Sequence, residues 1–200
     1  MTSNSLDPTA SAVVTVTTEA TPSTPLADRV ACGDGRMLVG DLRLMDNKWQ
    51  DGLKAATEKA IRWQTDAKLA TLRVGCELLE SGFRWQATFY SPSSQAYFQS
   101  DTGQVEAAED DPSSVPVLST PGLSFAVLRK SLNGEGYDDS TELSPSTGVE
   151  IKPSTPTSQF GPPEAPNNAT IFHVAIEFRG EVKDLFVDMR DGKVYRYKFD

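Results

Sequence analysis

The 200-residue chain carries 28 Asp and Glu against 19 Lys and Arg, a formal net charge of −9, and 38% of its residues are hydrophobic. That apolar share lies below the roughly 45–50% of ordinary globular chains, so a folded core diluted by polar connections is expected. An acidic chain repels phosphate backbones, which argues against nucleic acid as a partner.

Residues 1–28 form a Ser/Thr/Pro-rich leader that buries too little apolar surface to offset ordering entropy, and the composition predicts disorder. The leader has no basic start, and Ala12 to Val16 is its longest weakly apolar patch. That is short of the roughly 7–15 apolar residues of a signal core and of the roughly 18 of a membrane span. As written, the chain is expected in the cytoplasm without a membrane span, with an extracytoplasmic setting left open. Cys32 and Cys76 are either one bridge or two free thiols, and with one histidine a Cys/His zinc site would still need a carboxylate.

The segment Arg36–Met45 reads as a strand or an extended lead-in to a helix. Asp46 or Asn47 offers a side-chain oxygen for the free N–H groups of a helix start. Trp49, Leu53, Ala56, Ala60 and Trp63 follow at spacings of four, three, four and three, with Asp51, Lys54, Glu58, Lys59 and Arg62 between them, which predicts an amphipathic helix over 47–65. Period-two alternation then predicts a strand over 68–79, a Ser81-Gly82 turn, and a half-buried strand carrying Phe83, Trp85, Ala87 and Phe89 on one face. Ser91–Ser94 turns, 96–100 returns, and Asp101-Thr102-Gly103 closes the first α-β unit, 29–106.

Residues 107–119 read as an acidic linker. Thr120-Pro121 suggests a capped helix start with Pro at the first helical position, predicting a second helix over 121–133 that stops at Asn133-Gly134. It opens the second α-β unit, 120–200. Most of 134–169 reads as linker, with a Pro-rich insertion over 138–169 and a short strand at Val149-Glu150-Ile151. Phe172, Val174, Ile176 and Phe178 alternate with His173, Ala175, Glu177 and Arg179. Gly180-Glu181 turns, 185–189 returns, and 193–199 is the last strand.

The two hairpins align without a gap at an offset of 89 residues. Phe83 meets Phe172, Phe89 meets Phe178, Gly103 meets Gly192 and Val105 meets Val194. This suggests a duplicated unit.

The stretch Leu185-Phe186-Val187-Asp188-Met189-Arg190-Asp191-Gly192-Lys193-Val194 resembles the marker of the PepSY family, and Tyr97-Phe98-Gln99-Ser100-Asp101-Thr102-Gly103-Gln104-Val105 resembles it with Gln99 where Asp188 stands. The resemblance spans about 47–106 and 121–199. It implies a small α+β domain that binds or inhibits other proteins, in secreted or membrane-anchored settings, and it supplies no catalytic residue to transfer.

The chemistry-bearing residues read mostly as structure. His173 lies on the polar phase of its strand and reads as a satisfied or solvated histidine. Gly33-Asp34-Gly35 lacks the Gly-Lys-Ser/Thr ending of a phosphate loop and reads as a turn. Glu106, Glu109, Asp110 and Asp111 lack calcium-loop spacing, as do Asp138 and Asp139. Asp188 and Asp191 flank a tight turn. Trp49, Trp63, Trp85, Phe89 and Tyr97 read as core by phase.

The expected fold is α+β: two helix-plus-antiparallel-hairpin units of PepSY or cystatin-like type, forming one continuous sheet or two small domains. The expected role is a non-catalytic protein-binding or inhibitory module, not an enzyme, with no cofactor and with a protein partner on a polar sheet face made of Arg84, Gln86, Tyr90, His173, Glu177 and Arg179. A structural subunit of a larger complex, or a small-molecule carrier with a helix–sheet cavity, are the alternatives.

Overall fold

The structure is a computed structural model that describes residues 31–32, 35–77, 82–109, 115–145, 148–154, 162, 164–178 and 181–196. The leader, Gly33-Asp34, Arg179 and Gly180 lie outside the described residues, as do parts of the acidic linker and of the Pro-rich insertion.

Strand β1 (Met37–Leu38) leads through a 3-10 turn, Val39–Asp41, into a one-turn helix α1 (Leu42–Met45). Helix α2 (Trp49–Trp63) follows. Then come β2 (Lys68–Cys76), β3 (Phe83–Ser91), β4 (Ala96–Gln99) and β5 (Val105–Ala107). Helix α3 (Phe125–Gly134) opens the second half, with β6 (Glu142–Leu143), β7 (Val149–Pro153), β8 (Thr170–Phe178), β9 (Glu181–Asp188) and β10 (Val194–Arg196).

All pairings are antiparallel, and the strands form one sheet. Its path runs β5-β4-β3-β2-β7-β8-β9-β10, so each half contributes four consecutive strands and the halves meet at β2 and β7. There Leu72 faces Ile151, Arg73 faces Glu150 and Val74 faces Val149. Beyond β7, the short β6 pairs with β8 at Ile176 and carries β1 on its other side. The open choice between one sheet and two domains is thus resolved as one sheet, because β7, the short strand expected at Val149-Glu150-Ile151 and longer by two residues, supplies the joining edge.

Alternation decides which face is dry. Leu72, Val74, Ala87, Phe89, Val149, Ile151, Phe172, Val174, Ile176, Leu185 and Val187 are buried on one face, with Leu42, Met45, Trp49, Ala60, Phe125, Leu128 and Leu132 of the helices above them. Trp85 stands edge-on to Phe125 with ring centroids 6.1 Å apart, and Phe125 meets Phe172 at 5.5 Å, so one aromatic chain runs from the first half into the second. Gly52 of α2 lies under the Trp85 ring, where a Cβ would come within 2.7 Å of it.

The helix starts differ from expectation. Lys48 occupies the N-cap of α2 without a side-chain bond. Asp46 instead turns to α3: its Oδ1 accepts the Phe125 N–H at 2.6 Å and its Oδ2 accepts the Ala126 N–H at 2.9 Å. Helix α3 begins at Phe125, four residues after Pro121, with Ser124 as N-cap. Gly122 has φ +79°, so the chain turns between Pro121 and the helix. A carboxylate from across the fold does the work expected of Thr120, since it both accepts the free N–H groups and carries charge suited to the helix start.

Cys32 and Cys76 form a disulfide with Cα atoms 5.4 Å apart, tying the chain before β1 to the end of β2.

The closing turns of the two hairpins agree bond for bond at the offset of 89. Gly103 N–H donates to Gln99 O at 2.8 Å and Gln99 N–H to Gln104 O at 2.9 Å; Gly192 N–H donates to Asp188 O and Asp188 N–H to Lys193 O, both at 2.9 Å. Gly103 and Gly192 have φ +73° and +71°. The preceding strands do not keep that offset. Thr88 stands opposite Gln99, whereas Asp188 faces Ile171 and not Glu177. The ungapped pairing of Phe83 with Phe172 is therefore not the structural correspondence. A slip by an even number of residues leaves every side chain on its face, so alternation cannot reveal it.

Two substitutions probe this architecture. Gly148 has φ +59°, and a Cβ there would lie 2.3 Å from the Val74 carbonyl oxygen, at the β2–β7 joint. Gly136 has φ +91° with open space around it. Both Gly148→Ala and Gly136→Ala incur the left-handed penalty of roughly 1–2 kcal/mol, and Gly148→Ala is expected to lose clearly more stability in urea unfolding because backbone must also move. Asp46→Ala is expected to cost about 1–2 kcal/mol in the same assay by uncapping α3.

Candidate functional site

The helices occupy one face of the sheet, and the polar phase of the strands faces the other way. Register aligns a row across six strands: Gln86 on β3, Arg73 on β2, Glu150 on β7, His173 on β8, Phe186 on β9 and Tyr195 on β10. Each is the cross-strand neighbour of the next, so Arg73 and Glu150, from opposite halves of the chain, lie side by side.

His173 is the centre of this row. Its Nδ1 lies 3.2 Å from Glu150 Oε2 and its Nε2 2.8 Å from Asp184 Oδ1, with only 16% of the side chain exposed. Its ring stacks on Phe186 with centroids 4.6 Å apart. Glu150 also accepts from Lys152 Nζ at 2.8 Å. The hydrogen bond from His173, outweighing the opposing effect of burial and helped by Lys152, takes the Glu150 carboxyl down from its ordinary 4.5 to about 2.

On the first half of the face, Asp101 Oδ2 accepts from Gln86 Nε2 at 2.7 Å and from Arg84 Nη2 at 3.0 Å. Burial by itself would raise the Asp101 carboxyl, but the bonds from Gln86 and Arg84 leave it below the ordinary value. These two side chains are thereby held in place, with the Arg84 side chain still 45% exposed.

The six residues expected to form a contact surface divide. Arg84, Gln86, His173 and Glu177 lie on the outer face, with Glu177 exposed and opposite the exposed Val182. Tyr90 does not serve as surface: it is 1% exposed, tilted against Tyr97 with ring centroids 5.3 Å apart, and its hydroxyl has no hydrogen-bond partner among the described residues. Its polar phase is overridden by packing against Tyr97, next to Ser91, whose hydroxyl donates to Asp66. Arg179 lies outside the described residues.

The outer face is not bare throughout. Ala169, Ile171, Phe186 and Tyr195 form a second apolar cluster on it, with Ala165 of the Pro-rich excursion packed against them. The excursion thus covers part of the second half. In the first half, β2 and β3 present Thr71, Arg73, Arg84, Gln86 and Thr88.

Asp188, Asp191, Asp138 and Asp139 are spent on structure, while Asp110 and Asp111 lie outside the described residues. Asp188 is 1% exposed and bonded to the Arg190 backbone N–H, Nε and Nη2. Asp191 accepts the Lys193 N–H at 2.9 Å. Asp138 accepts from Ser140, and Asp139 pairs with Arg129. Among the described residues, no group of three or more His, Cys, Asp or Glu is arranged to hold a metal ion. Nor is any helix among them long and apolar enough to cross a membrane.

Arg73, Glu150, Lys152 and Asp184 were not singled out by sequence reading. The alternation Val149-Glu150-Ile151-Lys152 was the available signal, but it does not say which strand lies beside it.

No protein-family model matches the chain, and no curated protein matches it. A crystal structure of a "putative lipoprotein" from Clostridium difficile 630 is similar over 72% of this chain and 90% of its own, at 11% identity and a TM-score of 0.48. A likeness that weak assigns neither family nor role.

The Glu150 carboxyl is held down in the folded state, so its contribution to stability is complete above its ordinary value of 4.5 and is lost as pH falls toward about 2. The urea midpoint is expected to fall across that window, and to fall less in Glu150→Gln, when unfolding is followed from pH 5 to pH 2.

Proposed function

We propose that this chain is a non-catalytic protein-binding or inhibitory module whose contact surface is the outer face of the sheet, centred on β2, β3 and the β7–β8 seam. The observation that carries this reading is the placement of all described helices on the opposite face, which leaves Arg73, Arg84, Gln86 and Thr88 without a covering layer of helix. The five strands β4, β3, β2, β7 and β8 span about 19 Å at ~4.8 Å per spacing, and the longest of them, β2, β3 and β8 with nine residues each, run about 30 Å, which bounds the face at roughly 600 Å². Specific protein interfaces bury about 800 Å² per partner, so the face with its rim is of suitable size.

Arg84 and Gln86 add pre-ordered donors, because Asp101 already holds them; less side-chain freedom is then lost on binding. The four-strand halves, each led by a helix and each closed by a Gly-x-Val turn, support a tandem PepSY-like domain as the framework. The Cys32–Cys76 disulfide favours an oxidising, extracytoplasmic compartment over the reducing cytosol.

Affinity capture from a lysate of the native source tests the surface. A bound protein is expected to be lost when Arg84→Glu and Glu177→Lys are combined, and kept in Lys54→Glu on the exposed side of α2. Capture indifferent to the outer-face variant, or abolished only by the helix variant, would overturn the assignment.

A further inference from the structure

We infer that His173 is a pH-operated clasp across β7, β8 and β9, closed when the imidazole carries two N–H donors and half-open when it carries one. The inference goes beyond the proposed contact role and stands on the geometry of these three strands alone.

Both ring nitrogens point at carboxylate oxygens, Nδ1 at Glu150 from β7 and Nε2 at Asp184 from β9. A carboxylate is acceptor only, so both contacts are hydrogen bonds only if both nitrogens bear protons. The neutral ring has one N–H, and its other nitrogen then presents a lone pair to a carboxylate oxygen. One contact turns from attractive to repulsive on loss of a single proton, in a site where the side chain is mostly out of water.

The charged neighbours define what opens. From β7, Glu150 faces the ring and is bonded to Lys152, with Arg73 of β2 as the next cross-strand neighbour of Glu150. From β9, Asp184 faces it, and Phe186 covers the ring plane. On β8 itself Glu177 follows on the same face. Glu150 keeps its Lys152 bond at 2.8 Å, whereas its contact with His173 is the longer of the two at 3.2 Å. The Glu150 side is therefore the one that releases. It belongs to the strand that joins the two halves of the sheet and leads into the Pro-rich excursion, so the clasp acts where the halves meet.

His173→Gln tests this in the full chain, since the amide offers donors at one end only and cannot serve both carboxylates at once. Thermal unfolding at pH 5.5 and pH 8.5, above the range in which ordinary carboxylates titrate, is expected to show the wild type melting several degrees above His173→Gln at pH 5.5, with the gap closing at pH 8.5. The same comparison in a Glu150→Gln, Asp184→Asn background is expected to show no pH-dependent gap. An equal gap at both pH values in the wild-type background would overturn the clasp. If His173→Gln does not fold, nitrogen-15 spectra of the wild-type imidazole decide: two N–H protons at pH 5.5 and one at pH 8.5 support it, and an unchanged proton count overturns it.

Discussion

The pairing of β2 with β7 is the contact on which the rest of the structure depends. Without it each half would expose a strand edge, a row of unpaired N–H and C=O groups open to any passing strand. With it, the two halves become one sheet, the aromatic chain Trp85–Phe125–Phe172 closes over the joint, and the outer row from Gln86 to Tyr195 becomes continuous. Gly148 lets the chain approach Val74 closely enough to start β7 there, and the positive φ it adopts is one that a side chain would resist.

The helix layer is fixed to this joint in a similar way. Asp46, at the end of the short α1, caps α3 from 80 residues away. Ser131 of α3 donates to Gly192 O in the closing turn of the second hairpin. Helix α3 is thus tied at its start to the first half and along its length to the second. The disulfide adds a covalent tie between the chain before β1 and the end of β2. A protein with a low apolar share reaches one main core through such cross-links between halves, together with burial of one face of the central strands.

Function follows from what this arrangement leaves over. The helices need the apolar phase of the central strands, so the opposite phase of those strands is turned outward as one surface. On the second half that surface is partly closed by the Pro-rich excursion, and His173 sits at the border between the covered and the open parts. The two halves therefore share a plan but differ in what their outer faces can do.

The sequence by itself determined the local elements with strong periodicity. The stripe from Trp49 to Trp63 specifies α2, and the alternation around Phe83–Phe89 and Phe172–Phe178 specifies β3 and β8, because a side-chain period of 3.6 or 2 is a property of the chain alone. Gly103 and Gly192 likewise mark turns that the structure repeats bond for bond. Tertiary structure decided the partners: which residue lies across from Glu150, which helix Asp46 caps, whether Cys32 and Cys76 meet, and that Tyr90 is buried despite its phase. It also decided the true correspondence of the hairpins, since a shift of six residues preserves every face. These are choices between distant segments of equal local quality, and only the packed fold, in which each edge and each apolar face finds one neighbour, distinguishes them.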